Sequence, residues 1–227
     1  MHVMKIAALF SGGKDSTYAL YLAQQRGWTV ERLITVEPHS DSMMFHHPNV
    51  DLTDLHAEAL GIPLTRKQVG GEDEMDILQG MVGGLPVSGL VVGAIASDYQ
   101  HTKINRMCHR IGLRTFTPLW RKSQVRVLRE EVEAGFDVVL VGVSAEGLTD
   151  DWLGERIVGD SLNRLIELSK KSRFNVSGEG GEYESLVLDG PNFRKRIEIE
   201  VATKTWDGVR GEYSIHEASL ADKTNYI

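Results

Sequence analysis

A short run near the N-terminus combines glycine, hydroxyl, lysine and carboxylate groups in a spacing that suits phosphate binding. It follows an apolar run over residues 6–10, precedes a helical pattern, and consists of Ser11, Gly12, Gly13, Lys14, Asp15 and Ser16. Its glycines permit a turn with positive φ and close approach of a ligand, and a helix N-terminus attracts phosphate. The run matches neither the Walker pattern nor Gly-x-Gly-x-x-Gly. An ordinary strand–turn–helix corner, with Asp15 or Ser16 as the N-cap, is the alternative interpretation.

A second run, towards the C-terminal end, places three carboxylates among glycines. It consists of Glu179, Gly180, Gly181, Glu182, Tyr183 and Glu184, and it leads into the apolar residues 186–188. Carboxylates fixed in a cleft can bind Mg²⁺, accept a proton from ammonium or orient a cationic group. A flexible acidic surface loop is the alternative, although the adjoining buried strand would hold one end of the run in place.

The elements around these runs predict where the candidate residues meet. Short apolar runs alternate with amphipathic runs over the first half of the chain, which is typical of βαβ units and a parallel sheet. Ligands of such sheets bind at the carboxyl ends of the strands. We therefore expect main-chain groups near Val36, where the second strand ends, to contact adenine, and Gly93, after the fourth strand, to let a ligand sit close.

Four residues beyond Gly93 are candidates for substrate binding: Ser97, Asp98, Tyr99 and Gln100. Helix capping by Ser97 or Asp98 is the alternative interpretation.

The expected fold class is α/β. A Rossmann-like, mostly parallel sheet with helices on both faces would form a nucleotide-binding domain over residues 1–145. A smaller, β-rich α+β region over residues 146–227 would form a C-terminal substrate-binding domain, and the chain of 227 residues is long enough for both. The pattern needs no helix after about residue 172, and the alternation over residues 196–201 predicts a half-buried strand.

The net charge, the apolar segments and the cysteine count exclude some classes of function. The net charge is -7, and no segment is long and apolar enough to span a bilayer, so we expect neither membrane binding nor stable nucleic-acid binding. The single cysteine, Cys108, excludes an internal disulfide and fits a reducing cytoplasm. His46 and His47 lie in a run over residues 38–50 that we interpret as a solvent-facing or lid-like loop. A local basic patch could still form from four residues: Arg106, His109, Arg110 and Arg114.

The two runs together resemble the diphthine–ammonia ligases, a family of PP-loop ATP pyrophosphatases with an adenine nucleotide alpha hydrolase-like fold. The first run is similar to the superfamily's pyrophosphate-binding loop, and the acidic glycine run narrows the resemblance to this family. Supporting stretches are residues 93–100, 112–113 with 119–120, and 188–191. Residues 52–55 and 59–63 also resemble the compact archaeal members, which lack the additional domains of longer ones.

This resemblance implies an activity and its cofactors. ATP, held by the PP-loop and by Val36 and Gly93, would adenylate the carboxylate of diphthine, a modified histidine on translation elongation factor 2. Ammonium would then supply the nitrogen, giving diphthamide, AMP and pyrophosphate. Mg²⁺ is expected with the nucleotide, with Asp15 as a candidate ligand. The implied catalytic residues are Lys14, Asp15, Glu182 and Glu184, and residues 179–184 would contact substrate.

Two other functions remain open from the sequence. One is another PP-loop adenylating enzyme that modifies RNA or forms amides on small carboxylates, although missing thiol pairs disfavour sulfur transfer. The other is a non-catalytic ATP-sensing module, which would keep the phosphate loop without needing residues 179–184. The sequence leaves the oligomeric state undetermined.

Overall fold

The computed structural model describes residues 3–37, 49, 52–70 and 73–223. Its helices are α1 (Lys14–Gln25), α2 (Thr53–Leu60), α3 (Glu74–Gly83), α4 (Asp98–Arg110), α5 (Gln124–Glu133) and α6 (Gly159–Ser172). Its strands are β1 (Lys5–Leu9), β2 (Thr29–Glu37), β3 (Leu64–Gln68), β4 (Gly89–Val91), β5 (Arg114–Phe116), β6 (Asp137–Val143), β7 (Tyr183–Asp189), β8 (Lys195–Trp206) and β9 (Gly211–Asp222). The predicted loop over residues 38–50, with His46 and His47, lies outside the described residues except for Asn49.

The first five strands form a parallel sheet in the order β3-β2-β1-β4-β5. Central strand β1 is apolar on both faces: Ile6 and Ala8 pack in one core cluster, and Ala7 packs in the other. Successive side chains of a strand point to opposite faces, and a parallel sheet is normally covered on both sides. The arrangement confirms the predicted Rossmann-like α/β fold, and it brings the carboxyl ends of β1, β2 and β4 to one edge.

Helices cover both faces of this sheet. Leu20 of α1 and Leu128 of α5 belong to one cluster, while Ile104, Met107 and Cys108 of α4 belong to the other. The spacing of the α4 residues places them on one helix face, so Cys108 is a core residue. In the described part of the chain, no helix has the length and apolar character needed to cross a membrane.

The remaining strands form a second, antiparallel sheet in the order β7-β6-β9-β8. Strands β8 and β9 make a long hairpin, which confirms the strand predicted over residues 196–201. Helix α6 is the last helix among the described residues, as the pattern after residue 172 predicted. Strand β6 pairs with β7 and β9, so it belongs to this sheet although a division at residue 145 assigns it to the first domain.

The two sheets share one core. A single cluster joins Ile6 and Leu33 of the parallel sheet to Leu186 and Ile197 of the antiparallel sheet. At its edge, the backbone N–H of Val187 in β7 donates to the carbonyl of Gly12 at 2.9 Å. The second sheet is therefore packed directly against the first glycine-containing loop.

Candidate active site

The loop over residues 11–16 turns tightly from β1 into α1. Gly12 has a φ of 79°, a left-handed conformation that suits glycine. Gly13 is the N-cap and α1 begins at Lys14, so the interpretation of Asp15 or Ser16 as the N-cap is wrong. The Ser16 hydroxyl instead donates to the carbonyl of Gly13 at 3.0 Å and lies 3.1 Å from the Ser11 hydroxyl. The loop's own hydroxyls thus close the turn ahead of the helix.

Strand β7 braces this loop from the C-terminal half of the chain. The backbone N–H of Lys14 donates to the Ser185 hydroxyl at 3.3 Å, in addition to the bond between Val187 and Gly12. The buried His56 ring lies beside the loop, with Nε2 2.7 Å from the carbonyl of Val187 and Nδ1 2.8 Å from that of Leu52. Burial lowers the pKa of His56. The loop over residues 11–16 therefore depends on contacts that are remote in sequence.

The Lys14 side chain is buried in an ion pair with its neighbour. Its Nζ lies 2.7 Å from both carboxylate oxygens of Asp15, and the side chain is 1% exposed. Burial alone would lower the pKa of the Lys14 ammonium, but the neighbouring charge, that of Asp15 foremost, outweighs burial and raises it. Lys14 therefore remains charged and is linked to its surroundings mainly through Asp15.

A second carboxyl group, Glu131 of α5, completes this buried cluster. Glu131 is fully buried, and within the described residues no donor reaches either oxygen of its carboxylate form. Burial raises its pKa, Lys14 opposes the rise, and Asp15 adds to it both by charge and by accepting a hydrogen bond. The protonated carboxyl is thus the form with a partner, because its O–H can donate to Asp15. Lys14 and Asp15 then balance each other's charge.

Replacing Glu131 with Gln tests this protonation state. In the wild type, the folded state holds a proton that the unfolded state releases above about pH 4.3, so wild-type stability should fall as pH rises. The amide has no such proton to lose. We expect the stability of Glu131→Gln relative to wild type to increase by up to about 1.4 kcal/mol per pH unit as pH rises above about 4.3, until Glu131 of the folded protein itself ionises. Urea unfolding at several pH values measures this difference, and parallel pH profiles would contradict the assignment.

One cavity joins the two runs that the sequence singled out. It has a volume of about 420 Å³ and lies at the carboxyl ends of β1, β2 and β4, within the size range of small-molecule sites. Its lining includes the predicted nucleotide-binding residues Ser11, Gly13, Asp15, Ser16, Val36 and Gly93. It also includes Glu179, Gly180, Gly181, Tyr183 and Glu184 of the acidic run. Lys14, Gly12 and Glu182 do not line it.

Glu179 fastens the acidic run to the parallel sheet. Its carboxylate accepts hydrogen bonds from the backbone N–H groups of Ile95, Ala96 and Ser97 at 2.8, 2.5 and 3.0 Å. Those groups belong to the segment between β4 and α4, more than 80 residues away in sequence. Hydrogen bonds to an ionised acceptor are stronger than neutral ones, so Glu179 acts as a latch between two walls of the cavity.

The other two glutamates of the run have different surroundings. The Glu182 carboxylate accepts from the backbone N–H groups of Gly180 at 2.7 Å and Asn175 at 3.0 Å, which stabilises the turn itself. Glu184 lines the cavity directly. Of the two glutamates predicted to be catalytic, the structure brings Glu184 into the cavity and leaves Glu182 outside it.

Gly93 is packed against the start of α1. A Cβ at this position would lie 2.7 Å from the carbonyl carbon of Asp15 and 2.7 Å from the amide nitrogen of Ser16. We expect Gly93 to let a ligand approach closely. The structure shows that it also lets the backbone at the start of α1 approach closely. Because those neighbours are main-chain atoms, they cannot move aside by a rotamer change.

We expect Gly93→Ala to displace the loop over residues 11–16. The substitution should lower the free energy of unfolding by about 1–3 kcal/mol, the usual penalty of overpacking, and weaken ATP binding at least about tenfold. Gly80→Ala is the matched control, because a Cβ at this α3 position meets no atom within 4 Å. Denaturant unfolding and equilibrium ATP titration of both variants provide the measurement. Equal ATP affinity in wild type and Gly93→Ala would contradict the packing argument.

The segment after Gly93 contributes less to the cavity than the sequence suggested. Gln100 lines it, and the Ser97 N–H binds Glu179 while its hydroxyl caps α4 by accepting from Gln100. The Asp98 side chain is 75% exposed and pairs with Arg121 at 3.2 Å. Tyr99 is exposed, and its hydroxyl accepts a hydrogen bond from the ammonium group of Lys103. Neither Asp98 nor Tyr99 lines the cavity, which favours the capping and surface interpretations of this segment.

Sequence reasoning missed several residues of the site. Thr35 lines the cavity and donates from its hydroxyl to the carbonyl of Phe10 at 2.7 Å. Ser185 lines it as well, next to the run that was singled out. Glu131 lies in an amphipathic helix, where a glutamate normally faces solvent, so its burial had no local signal. Of these residues, only Thr35 could have been found from the sequence, because it lies near the carboxyl end of an apolar strand, where ligands of parallel sheets bind.

The fit for Mg²⁺ is limited. Among the described residues, no group of three or more metal-ligating side chains lies together. Mg²⁺ in nucleotide sites needs only one or two protein carboxylates besides phosphate oxygens, and Asp15 lines the cavity. Asp15 is thus compatible with the expected ion, although both its oxygens already accept from Lys14.

Comparisons with known proteins identify the family. A family model described as the diphthamide synthase N-terminal domain matches residues 4–115, and one described as the diphthamide synthase C-terminal domain matches residues 123–221. A diphthine–ammonia ligase of Rattus norvegicus is 33% identical over 224 residues, which cover 88% of this chain and 84% of that protein. The chain belongs to the diphthine–ammonia ligase family. The resemblance found in the sequence is thereby confirmed, and the chain is a member of an enzyme family.

Other relatives show the same family at different lengths. The diphthine–ammonia ligase of Danio rerio is 35% identical over 227 residues, covering 89% of this chain and 88% of that protein. The Saccharomyces cerevisiae ligase is 29% identical over 266 residues, covering 97% of this chain but 37% of the yeast protein. Among solved structures, the U34-tRNA thiolase NcsA of Methanococcus maripaludis superposes with a TM-score of 0.41 at 14% identity, over 78% of this chain and 70% of that one. Family membership follows from the sequence matches alone.

Proposed function

We propose that this protein amidates the carboxylate of diphthine on translation elongation factor 2, using ATP and ammonium and forming AMP and pyrophosphate. The carrying observation is the single cavity that the phosphate loop and the acidic run both line. A module that only binds ATP would need the loop over residues 11–16 but not the acidic run over residues 179–184. Membership of the diphthine–ammonia ligase family supports the assignment of diphthine as the substrate. We place the reaction in the cytoplasm, together with the elongation factor.

The first step that we propose is adenylation. The amides at the start of α1 bind the β- and γ-phosphates of ATP, since a helix N-terminus attracts anions. A carboxylate oxygen of the acceptor attacks the α-phosphorus, the bond to the bridging oxygen breaks, and pyrophosphate leaves. Asp15 lines the cavity beside this loop, while Lys14 acts from its buried position by holding the Asp15 carboxylate. Mg²⁺ would arrive on the phosphates and offset their charge.

The second step is aminolysis of the acyl adenylate. Ammonium must lose a proton before its nitrogen can attack the acyl carbon, and Glu184 is the carboxylate of the acidic run that we assign as the base. The carbon–nitrogen bond then forms, the nitrogen loses a second proton to solvent, and the bond between the acyl carbon and the AMP oxygen breaks, so that AMP leaves. Glu179 and Glu182 are assigned to holding the run in place, because backbone N–H groups occupy both carboxylates.

Paired substitutions of Glu184 and Glu182 with Gln test these roles. Loss of a general base typically slows a reaction by about 10²–10⁴-fold, so Glu184→Gln should slow amide formation at least about 100-fold. Its ATP–pyrophosphate exchange, which reports adenylation alone, should stay near that of wild type. Glu182→Gln should slow amide formation less than about tenfold, since it weakens only the turn. Wild-type amide formation by Glu184→Gln would remove Glu184 from the mechanism.

A further inference from the structure

A second cleft adjoins the nucleotide cavity. It has a volume of about 650 Å³ and lies between the end of β6, the acidic run and the turn of the β8–β9 hairpin. Gly180, Gly181, Tyr183 and Glu184 line both this cleft and the nucleotide cavity. The acidic run is therefore a shared wall, thinned by two glycines, between the two spaces.

The shared wall is held firmly on the cleft side. The backbone N–H groups of Ser144 and Ala145, just after β6, donate to the carbonyl of Glu182 at 2.9 and 3.1 Å. The Ser144 hydroxyl also donates to the carbonyl of Gly181. With Glu179 latched on the other side, the run is fixed between the cavity and the cleft, so the position of Glu184 at their junction is defined.

The hairpin side of the cleft carries aromatic and acidic groups. Trp206 is half-buried, and its ring would lie 2.8 Å from a Cβ placed on Gly211, so glycine leaves room for the indole. Three carboxylates line the cleft, those of Glu184, Asp207 and Glu212, against the single cation of Arg210. An aromatic face with excess negative charge favours a planar ring that carries N–H donors or positive charge.

The hairpin tip adds an apolar contact beside this cleft. Val209 is 68% exposed, and it follows Asp207, whose Oδ1 accepts from the backbone N–H groups of Val209 and Arg210 at 2.8 and 2.7 Å. The tight turn thus presents an apolar side chain to solvent next to an acidic, aromatic cleft. If a modified residue of a protein binds in the cleft, Val209 is placed to contact the polypeptide segment on either side of that residue.

We propose that this second cleft receives the protein acceptor. The imidazole ring of the modified histidine lies against Trp206, and Glu212 accepts a hydrogen bond from its ring N–H. Its carboxylate extends along Gly180 and Gly181 to the junction at Glu184, towards the nucleotide. The inference rests on the proposed function, because it names the entry route for that reaction's acceptor. It gives Trp206 and Glu212 a role in acceptor binding and none in ATP binding.

Acceptor titrations with cleft variants test the proposal. The enzyme is assayed with ATP, Mg²⁺, ammonium and diphthine-bearing elongation factor 2, and amide formation is followed by mass. Trp206→Ala should raise the KM for the elongation factor at least about tenfold, and Glu212→Gln about threefold or more. Trp206→Phe, which keeps an aromatic face, should recover most of the loss. ATP affinity should stay within twofold of wild type in all three.

The control is Glu217→Gln, an exposed carboxylate on the same strand β9 that does not line the cleft; its KM should equal that of wild type. Because Trp206 also packs against the core, thermal unfolding checks each variant, and Glu212→Gln decides the question if Trp206→Ala fails to fold. The cleft proposal alone is overturned if the wild type is active and the KM is unchanged in Glu212→Gln, in Trp206→Phe and in a folded Trp206→Ala. A wild type that binds ATP but forms no amide overturns the proposed function and the cleft proposal with it.

Discussion

Asp15→Ala is expected to slow ATP–pyrophosphate exchange at least about 100-fold, because it removes charge from the phosphate loop and the fixed partner of a buried ammonium at once. The Lys14 side chain is 1% exposed and has both Asp15 oxygens within 2.7 Å. Breaking a buried ion pair by removing one partner destabilises a protein by about 3–5 kcal/mol. Ionisation of Glu131 beside Lys14 should offset part of this, so we expect a loss of about 2–3 kcal/mol in the free energy of unfolding.

The matched control for this variant is Asp160→Ala. Asp160 also lies in the first turn of a helix, α6, but it is exposed to solvent. Its replacement should change the exchange rate less than twofold and stability by less than about 0.5 kcal/mol. Exchange kinetics and urea unfolding of the two variants give the comparison. Wild-type exchange by a folded Asp15→Ala would show that the phosphate loop works without its carboxylate.

Glu179→Ala is expected to slow amide formation at least about 100-fold, since small displacements of a positioned group can lower rates by that factor. The substitution leaves the N–H groups of Ile95, Ala96 and Ser97 without the carboxylate that joins them to the acidic run. Each hydrogen bond to a charged group contributes about 1.5–3 kcal/mol, so the run should detach from the parallel sheet and Glu184 should lose its position.

Two readouts separate this latch from direct chemistry. Hydrogen exchange at the amides of Ile95, Ala96 and Ser97 should accelerate in Glu179→Ala, which a residue acting only on substrate would not cause. Glu179→Gln should have an intermediate effect, because its amide retains one accepting oxygen. Glu146→Ala, an exposed glutamate just after β6, is the control and should match wild type. Unchanged amide exchange in Glu179→Ala would contradict the latch.

The sequence predicted what depends on local pattern. The apolar run of β1, the glycines at residues 12 and 13 and the following amphipathic run predicted the strand, the turn and the helix around residues 11–16, because the three signals adjoin there. The alternation of apolar and amphipathic runs predicted the parallel sheet, and with it the meeting of Val36, Gly93 and the loop at one edge.

Features that depend on long-range pairing could not be read in the same way. An apolar strand such as β6 looks the same whether it joins a parallel or an antiparallel sheet, so its place beside β7 and β9 came from the structure. The three glutamates of the acidic run look equivalent in sequence. Only the structure shows that Glu179 binds backbone N–H groups of the β4–α4 segment, that Glu182 binds those of its own turn, and that Glu184 lines the cavity.

The buried cluster beneath the loop is the clearest case of a hidden feature. A lysine in a phosphate loop suggests contact with phosphate, whereas Lys14 is enclosed between Asp15, Tyr183 and Glu131. Two of these partners come from α5 and β7, more than 100 residues away in sequence. Glu131 has no local sequence signal that separates it from the half-buried Glu130 and the exposed Glu133 of the same helix.

The most direct test of the central claim is the fate of the acceptor's carboxylate oxygens. Elongation factor 2 carrying diphthine with an ¹⁸O-labelled carboxylate is incubated with the enzyme, ATP, Mg²⁺ and ammonium, and the nucleotide products are analysed by mass. An acyl adenylate predicts AMP with one ¹⁸O atom on its phosphate, unlabelled pyrophosphate, and one ¹⁸O atom retained in the amide. Amide formation with ADP and labelled phosphate, or with unlabelled AMP, would contradict the proposed chemistry of this site.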